Sequence, residues 1–200
     1  MLVAYSTVAQ IGYLFLLFPL VSAGGAAAAD AWAGGIFHVI SHALAKSAMF
    51  LAAGTVLARF GHDRMEGIDG LSRRAPLTAM AFGLAGVTMI GLPPSGGFVA
   101  KWQMISASLR SGEWWWAVVV VAGGLLAAGY VFRVVGKFLR HEESGEDDIA
   151  VDSGPSPRAM EWAALSLALG ALLLGVAGQP LLELITVGAP ALVSGIGVVP

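Results

Sequence analysis

The chain has no cysteine, which excludes a disulfide framework, a thiolate metal site and a catalytic thiol. It also has little charge: 12% of its 200 residues are charged, about half of the roughly 25% usual in soluble domains. The 11 Lys and Arg nearly balance the 13 Asp and Glu, for a net charge of -2, so there is no electrostatic footprint for nucleic acid. In place of charge stand 57% hydrophobic residues and 27 glycines, with a mean hydropathy of +0.79. These values point to a polytopic, all-α membrane protein. At about 20 apolar residues per span, the chain can hold five or six spans.

The few charges fall in clusters, and the gaps between them outline the spans. Five crossings are expected, at about 3–22, 33–58, 76–110, 114–137 and 159–179. Met1 runs straight into an apolar stretch with no basic n-region, so no cleavable signal peptide is expected. The third crossing is too long for one straight helix: 35 residues at 1.5 Å each cover about 52 Å. Two full spans would leave no room for a turn. In its middle lies Leu92-Pro93-Pro94-Ser95-Gly96-Gly97, which a regular helix does not tolerate. One discontinuous helix, unwound near mid-membrane at Pro93, Pro94, Gly96 and Gly97, resolves the conflict.

The positive-inside rule decides between one crossing and two. Arg59, Arg64, Arg73 and Arg74 lie in 59–75, and Arg133, Lys137, Arg140 and Arg158 in 133–158. The loops at 23–32 and 111–113 hold no Lys or Arg, and only Arg110 borders the second. A single broken crossing puts both basic segments on one face, whereas two crossings would erase the bias. The N-terminus and the loops 59–75 and 140–158 are therefore expected to be cytoplasmic, in an inner (plasma) membrane. Residues 141–158, rich in acids with Ser, Gly and Pro, read as a solvated linker. It separates a 1–140 transmembrane region from a C-terminal helix and tail at 159–200. Trp114, Trp115 and Trp116 stand at a helix start beside Arg110 and Glu113, where indoles anchor at the lipid interface.

Two lysines carry the chemistry. Lys46 sits near the middle of the second span, and His38, His42 and Lys46 at i, i+4, i+8 form one stripe on one helix face. A lysine at this depth costs at least about 2.5 kcal/mol on insertion scales, and three titratable groups in register favour a hydrated proton path over simple packing. The stripe spans roughly 12 Å, and Ser41 beside it can bond a carbonyl one turn back. A zinc site at His38 and His42 is excluded, because no carboxylate lies in the span and a cationic Lys46 would repel a dication. Lys101 follows the Pro-Pro pair by seven residues. Unwound backbone at membrane depth is tolerated only inside protein or beside a wet cavity, and discontinuous helices of this kind build ion sites in transporters.

Several strings resemble the antiporter-like proton-pumping subunits, a family that includes the large membrane subunits of respiratory complex I, the Mrp-type cation/proton antiporters and related hydrogenase subunits. They are Ala4-Tyr5-Ser6-Thr7-Val8-Ala9-Gln10-Ile11-Gly12-Tyr13, His38-x3-His42-x3-Lys46 with Phe50-Leu51-Ala52-Ala53-Gly54, Gly70-Leu71-Ser72-Arg73-Arg74-Ala75-Pro76, and Gly91-Leu92-Pro93-Pro94-Ser95-Gly96-Gly97-Phe98-Val99-Ala100-Lys101-Trp102. The match covers about 2–140 and looks most like the Mrp-type D subunit. It implies two inverted repeats of five helices, each with a broken helix, joined by a central chain of Lys, His and water. This chain would hold the second repeat, with Lys101 as its terminal lysine and His38, His42 and Lys46 leading to it. Some members carry His at the place of Gln10, which gives Gln10 no relay role. Members begin with further helices, so a truncated chain or half of a split subunit is expected, with the missing N-terminal half, other subunits and membrane lipid as partners.

The function implied is a proton half-channel coupled to monovalent cation/proton antiport, with a complex I or membrane hydrogenase subunit as the alternative. No cofactor is expected: there is no Gly-rich dinucleotide fingerprint and no Cys for an iron–sulfur cluster. An oxidoreductase label would come from the assembly, not from a redox site in this chain. An intramembrane protease would need a defined catalytic pair, and Ser95 with Lys101, across Pro and Gly, has no fixed geometry. A non-conducting scaffold remains as the reading of another class, which reconstitution of the chain alone with a proton-flux assay would separate.

Overall fold

The computed structural model describes residues 2–61, 68–140, 158–187 and 189. Residues 141–157 of the expected linker at 141–158, residues 62–67 of the expected loop at 59–75 and most of the C-terminal tail lie outside the described residues, and Arg158 already belongs to a helix. Nine helices cover the described part: α1 (Leu2–Phe15), α2 (Leu17–Ser22), α3 (Gly25–Phe60), α4 (Leu71–Arg74), α5 (Pro76–Ile90), α6 (Gly96–Arg110), α7 (Trp115–Leu139), α8 (Arg158–Ala177) and α9 (Gln179–Val187). Leu2–Ser22, Gly25–Phe60, Trp115–Leu139 and Arg158–Ala177 are each long and apolar enough to cross a membrane, and Pro76–Ile90 is a shorter apolar helix.

Local chemistry sets most of the boundaries. Pro19 has no N–H to give the carbonyl of Phe15, and α1 gives way to α2 at Leu16. α3 begins at Gly25, eight residues before the expected span, because the Ala-rich run 26–29 has high helix propensity. The charge gap marked the membrane stretch rather than the helix. α3 ends where Gly61, in the left-handed conformation, donates its N–H to the Leu57 carbonyl at 2.9 Å.

α3 is the central post, with α2, α5, α6, α8 and α9 packed on it. Much of the main core is alanine: Ala45, Ala48, Ala52, Ala81, Ala85, Ala164, Ala168 and Ala171 sit among Met49, Phe82, Met89 and Phe138. Small residues let helix backbones approach closely, as helices in lipid require. α9 was not expected from the sequence. It turns at Gly178 and packs against α3 and α6 through Ile185, Leu181 and Leu182, with Trp32 Nε1 donating to the Ile185 carbonyl at 3.3 Å.

The stretch 76–110 is one broken crossing. Gly70 N–H donates to the Lys137 carbonyl at 3.3 Å, and Lys137 lies 4.0 Å from Asp69. The start of α5 and the end of α7 therefore share one end of the bundle. Arg110 pairs with Asp30 at 3.1 Å at the other end. Between α5 and α6, Gly91 takes a φ of 87° and Ser95 caps α6 by accepting the Phe98 N–H at 3.2 Å.

α6 starts hard against α5: a Cβ on Gly97 would overlap the Thr88 carbonyl. Gly97→Ala is expected to cost at least about 1–3 kcal/mol, lowering the thermal unfolding midpoint in detergent by several degrees. Gly83→Ala, which meets nothing within 4 Å, should leave the midpoint unchanged or slightly raised. Equal midpoints for the two variants would refute the close α5–α6 contact.

Candidate functional site

The site begins with the orphan carbonyls at the end of α5. The last four carbonyls of a helix have no partner within it. The Val87 carbonyl accepts the N–H groups of Gly91 and Leu92 at 3.0 and 3.1 Å. The Met89 and Ile90 carbonyls accept Lys101 Nζ at 3.0 and 2.9 Å. Lys101, 5% exposed, thus bridges the break from α6 and caps α5 with a cation, at the end where the helix dipole is negative. Charge-assisted bonds contribute about 1.5–3 kcal/mol each, enough to offset the insertion cost of at least about 2.5 kcal/mol. Gly91 makes room as well as a turn, since a Cβ there would stand 2.7 Å from Lys101 Cδ.

An ammonium has three donors. The two carbonyls take two of them, and the third is left over. Tyr13 of α1 lays its ring 5.0 Å from Lys101 Nζ, and the same ring meets His38 edge-on at 5.5 Å. His38 and His42 stack at 5.6 Å, and Lys101 acts electrostatically on both. His38 Nε2 lies 3.3 Å from the Gln10 carbonyl, while His38 Nδ1 and both nitrogens of His42 have no partner among the described residues. Ser41 donates to the His38 carbonyl at 3.3 Å.

Lys46, also 5% exposed, stands at the far end of the stripe from Tyr13. Its Nζ donates to the Val3 carbonyl at 2.6 Å and to Ser6 Oγ. The expected groups therefore divide. Lys101 and His38 meet at Tyr13, His42 stacks on His38, and Lys46 lies beyond His42 against the start of α1. Gly96 and Gly97 are buried, Gly96 against Ser41 and Leu174, while Pro93 and Pro94 lie exposed at the edge of the break. Among the described residues no three His, Asp or Glu side chains cluster closely enough to hold a metal ion.

The sequence reading passed over part of this site. Ser6, Gln10 and Tyr13 are the buried residues of α1, and their i, i+4, i+7 spacing forms a polar stripe facing that of α3. Gln10 Nε2 donates to the Met89 carbonyl at 3.2 Å, sharing an acceptor with Lys101. The spacing was the available signal; none of the three carries a charge, and Gln10 entered the sequence reading only as the place where some family members carry His.

Residues 1–127 match the family model for the transmembrane region of NADH:quinone oxidoreductase and Mrp antiporter subunits. The chain belongs to this family. It is 39% identical over 67% of its length to NADH-quinone oxidoreductase subunit N of Desulforudis audaxviator. Over 96% of its length it is 30% identical to F(420)H(2) dehydrogenase subunit N of Methanosarcina mazei. Among solved structures, the Mrp complex of a Dietzia species has a chain that matches 97% of this one with a TM-score of 0.80 and 28% identity. Respiratory complex I of Thermus thermophilus shares the fold, at a TM-score of 0.59 and 20% identity. The matched parts are 26% and 39% of the two curated relatives and 42% of the Dietzia chain, so this chain spans well under half their length. It is a multi-pass membrane protein of the family, and its relatives are subunits of multi-subunit Mrp or complex I assemblies.

The geometry gives Lys101 a structural duty separable from any proton chemistry. Lys101→Met should strip the Met89 and Ile90 carbonyls of a donor, lowering stability by about 1–3 kcal/mol and reducing assembled protein. Lys101→Arg keeps the donors and should assemble close to the normal yield. Equal assembly of both variants, by blue-native gel and thermal unfolding, would remove the capping role.

Proposed function

We propose that this chain carries protons through part of the membrane within a multi-subunit complex, with Lys101, His38, His42 and Lys46 as the relay. The observation that supports it most is the seat of Lys101: two N–H groups held by carbonyls and a third left over beside the Tyr13 ring, which also meets His38. A neutral amine keeps two N–H groups, so the carbonyl seat serves both charge states, and only the third proton has to move. Coupling to monovalent cation/proton antiport is the leading assignment, supported by the likeness to a chain of the Mrp complex. The second reading couples the same path to electron transfer in other subunits. The 39% identity to a subunit of NADH-quinone oxidoreductase favours it. In both readings α4 and the basic ends of α3, α7 and α8 face the cytoplasm, in the plasma membrane of the cell.

In everted vesicles holding the assembled complex, Lys101→Arg should abolish proton flux per complex, because a guanidinium does not release its proton. Lys46→Met should slow it strongly and His42→Gln partly. Wild-type flux in Lys101→Arg would refute the relay. Driving the vesicles with a sodium or potassium gradient, and separately with a quinone-reducing substrate, decides between the two couplings.

Sidedness has its own test, since the chain has no native cysteine. Cysteines placed within 62–67 and within 141–157 should label from the cytoplasmic side, and Ala23→Cys from the outside. Labelling of the first two from opposite sides would overturn the orientation.

A further inference from the structure

Tyr130 is a polar residue of α7 to which the relay above gives no task. Its hydroxyl is buried and completes no hydrogen bond among the described residues, yet the side chains of Ser6 and Gln10 are its polar neighbours. Those two residues lead to the two lysines. Ser6 Oγ accepts from Lys46 Nζ, and Gln10 shares the Met89 carbonyl with Lys101 Nζ. Gln10 is 2% exposed, and its Oε1 is a second buried acceptor without a partner among the described residues. Ser6, Gln10, Tyr13 and Tyr130, with Tyr5 at the exposed rim, supply the polar part of the wall of an open groove of about 510 Å³ between α1 and α7, otherwise lined by apolar groups such as Leu126 and Ala127. One water needs about 30 Å³ and two to four polar partners, and the buried inner corner of the groove, at the Tyr130 hydroxyl and Gln10 Oε1, offers both.

We infer that Tyr130 is a relay residue of a second branch between Lys46 and Lys101, one that runs along α1 through Ser6 and a water held by Gln10 and does not use the histidines. The inference rests on the proton-relay reading above. In each hop one O–H or N–H bond forms as another breaks. Lys46 gives a proton to Ser6 Oγ, and Ser6 gives its own to the Tyr130 oxygen. Tyr130 passes its proton to the water, and the water protonates Lys101 after Lys101 has released a proton onward. No charge is left on the intermediates. In the structure the Ser6 hydroxyl donates to the Val3 carbonyl at 2.9 Å, so it must rotate about its C–O bond, a motion hydroxyls make freely. Gln10 holds the water and transfers nothing itself, which suits an amide.

Two parallel branches leave a signature that one branch cannot. Proton flux per assembled complex should be compared in vesicles for Tyr130→Phe, for His38→Gln with His42→Gln, and for all three changes together. Tyr130→Phe removes a hydroxyl that holds no completed bond, so assembly should be normal. Flux should fall two- to five-fold in Tyr130→Phe, persist at a tenth or more of wild type in the double histidine variant, and drop below a hundredth in the triple variant. Ser6→Ala should behave as Tyr130→Phe does, and Ser6→Thr, which keeps the hydroxyl, should restore flux. That pair is the readout if position 130 proves sensitive to folding. Zero flux in the double histidine variant would overturn the branch, as would a triple variant no slower than the double. Failure of the underlying relay reading looks different, since it would appear as wild-type flux in Lys101→Arg.

Discussion

The ammonium of Lys101 on the Met89 and Ile90 carbonyls is the contact on which the middle of this membrane protein depends. A helix that stops in hydrocarbon leaves bare acceptors, each costing several kcal/mol if unmet. α5 stops there because Gly91 turns left-handed and Pro93 and Pro94 cannot continue the ladder. One side chain from α6 meets two of those acceptors and gains a site for its own charge. The break and the buried lysine, each unfavourable alone, stabilise one another. Gly97 on Thr88 and Gly91 beside the lysine stem hold the halves at the separation this contact needs.

Around that contact, the site is built from two polar stripes that face each other across an apolar bundle. α1 supplies Ser6, Gln10 and Tyr13, and α3 supplies His38, His42 and Lys46. They run so that Ser6 meets Lys46 and Tyr13 meets His38. Each stripe satisfies groups that the other could not leave bare in a low-dielectric interior. His38 Nδ1, both nitrogens of His42, the Gln10 side-chain oxygen and the Tyr130 hydroxyl, unpaired among the described residues, are where this mutual satisfaction stops. Of these, Gln10 and Tyr130 line the groove between α1 and α7, and groups of that kind are places for water rather than for further packing.

What could be read from the sequence was what local chemistry dictates. Pro93, Pro94, Gly96 and Gly97 announce a break because their limits on φ and hydrogen bonding act within a few residues, and the absence of charge between 75 and 100 gave the membrane stretch. Lys46 and Lys101 stood out because a buried ammonium is expensive. Contacts spanning long separations were hidden. The pairing of Asp30 with Arg110 joins residues 80 positions apart. Ser6, Gln10 and Tyr130 are uncharged, so a reading led by charge passes over them, and their meeting depends on how α1 and α7 lie. α9, at nine residues, is too short for a span and shows its purpose only when Ile185 is seen against α3.

The position of the break has an electrical consequence. α5 and α6 have 15 residues each, so the gap between them falls near the middle of the crossing, and Lys101 lies one turn beyond it. A charge there has traversed roughly half of the low-dielectric layer. The transmembrane voltage does work of about 2.3 kcal/mol on one charge per 100 mV over the whole layer, and so on the order of 1 kcal/mol per 100 mV on a proton arriving at this lysine. That is comparable with a single hydrogen bond in its seat. On the proposed relay, an energised membrane thus acts as a further ligand of Lys101, biasing its charge state without touching it.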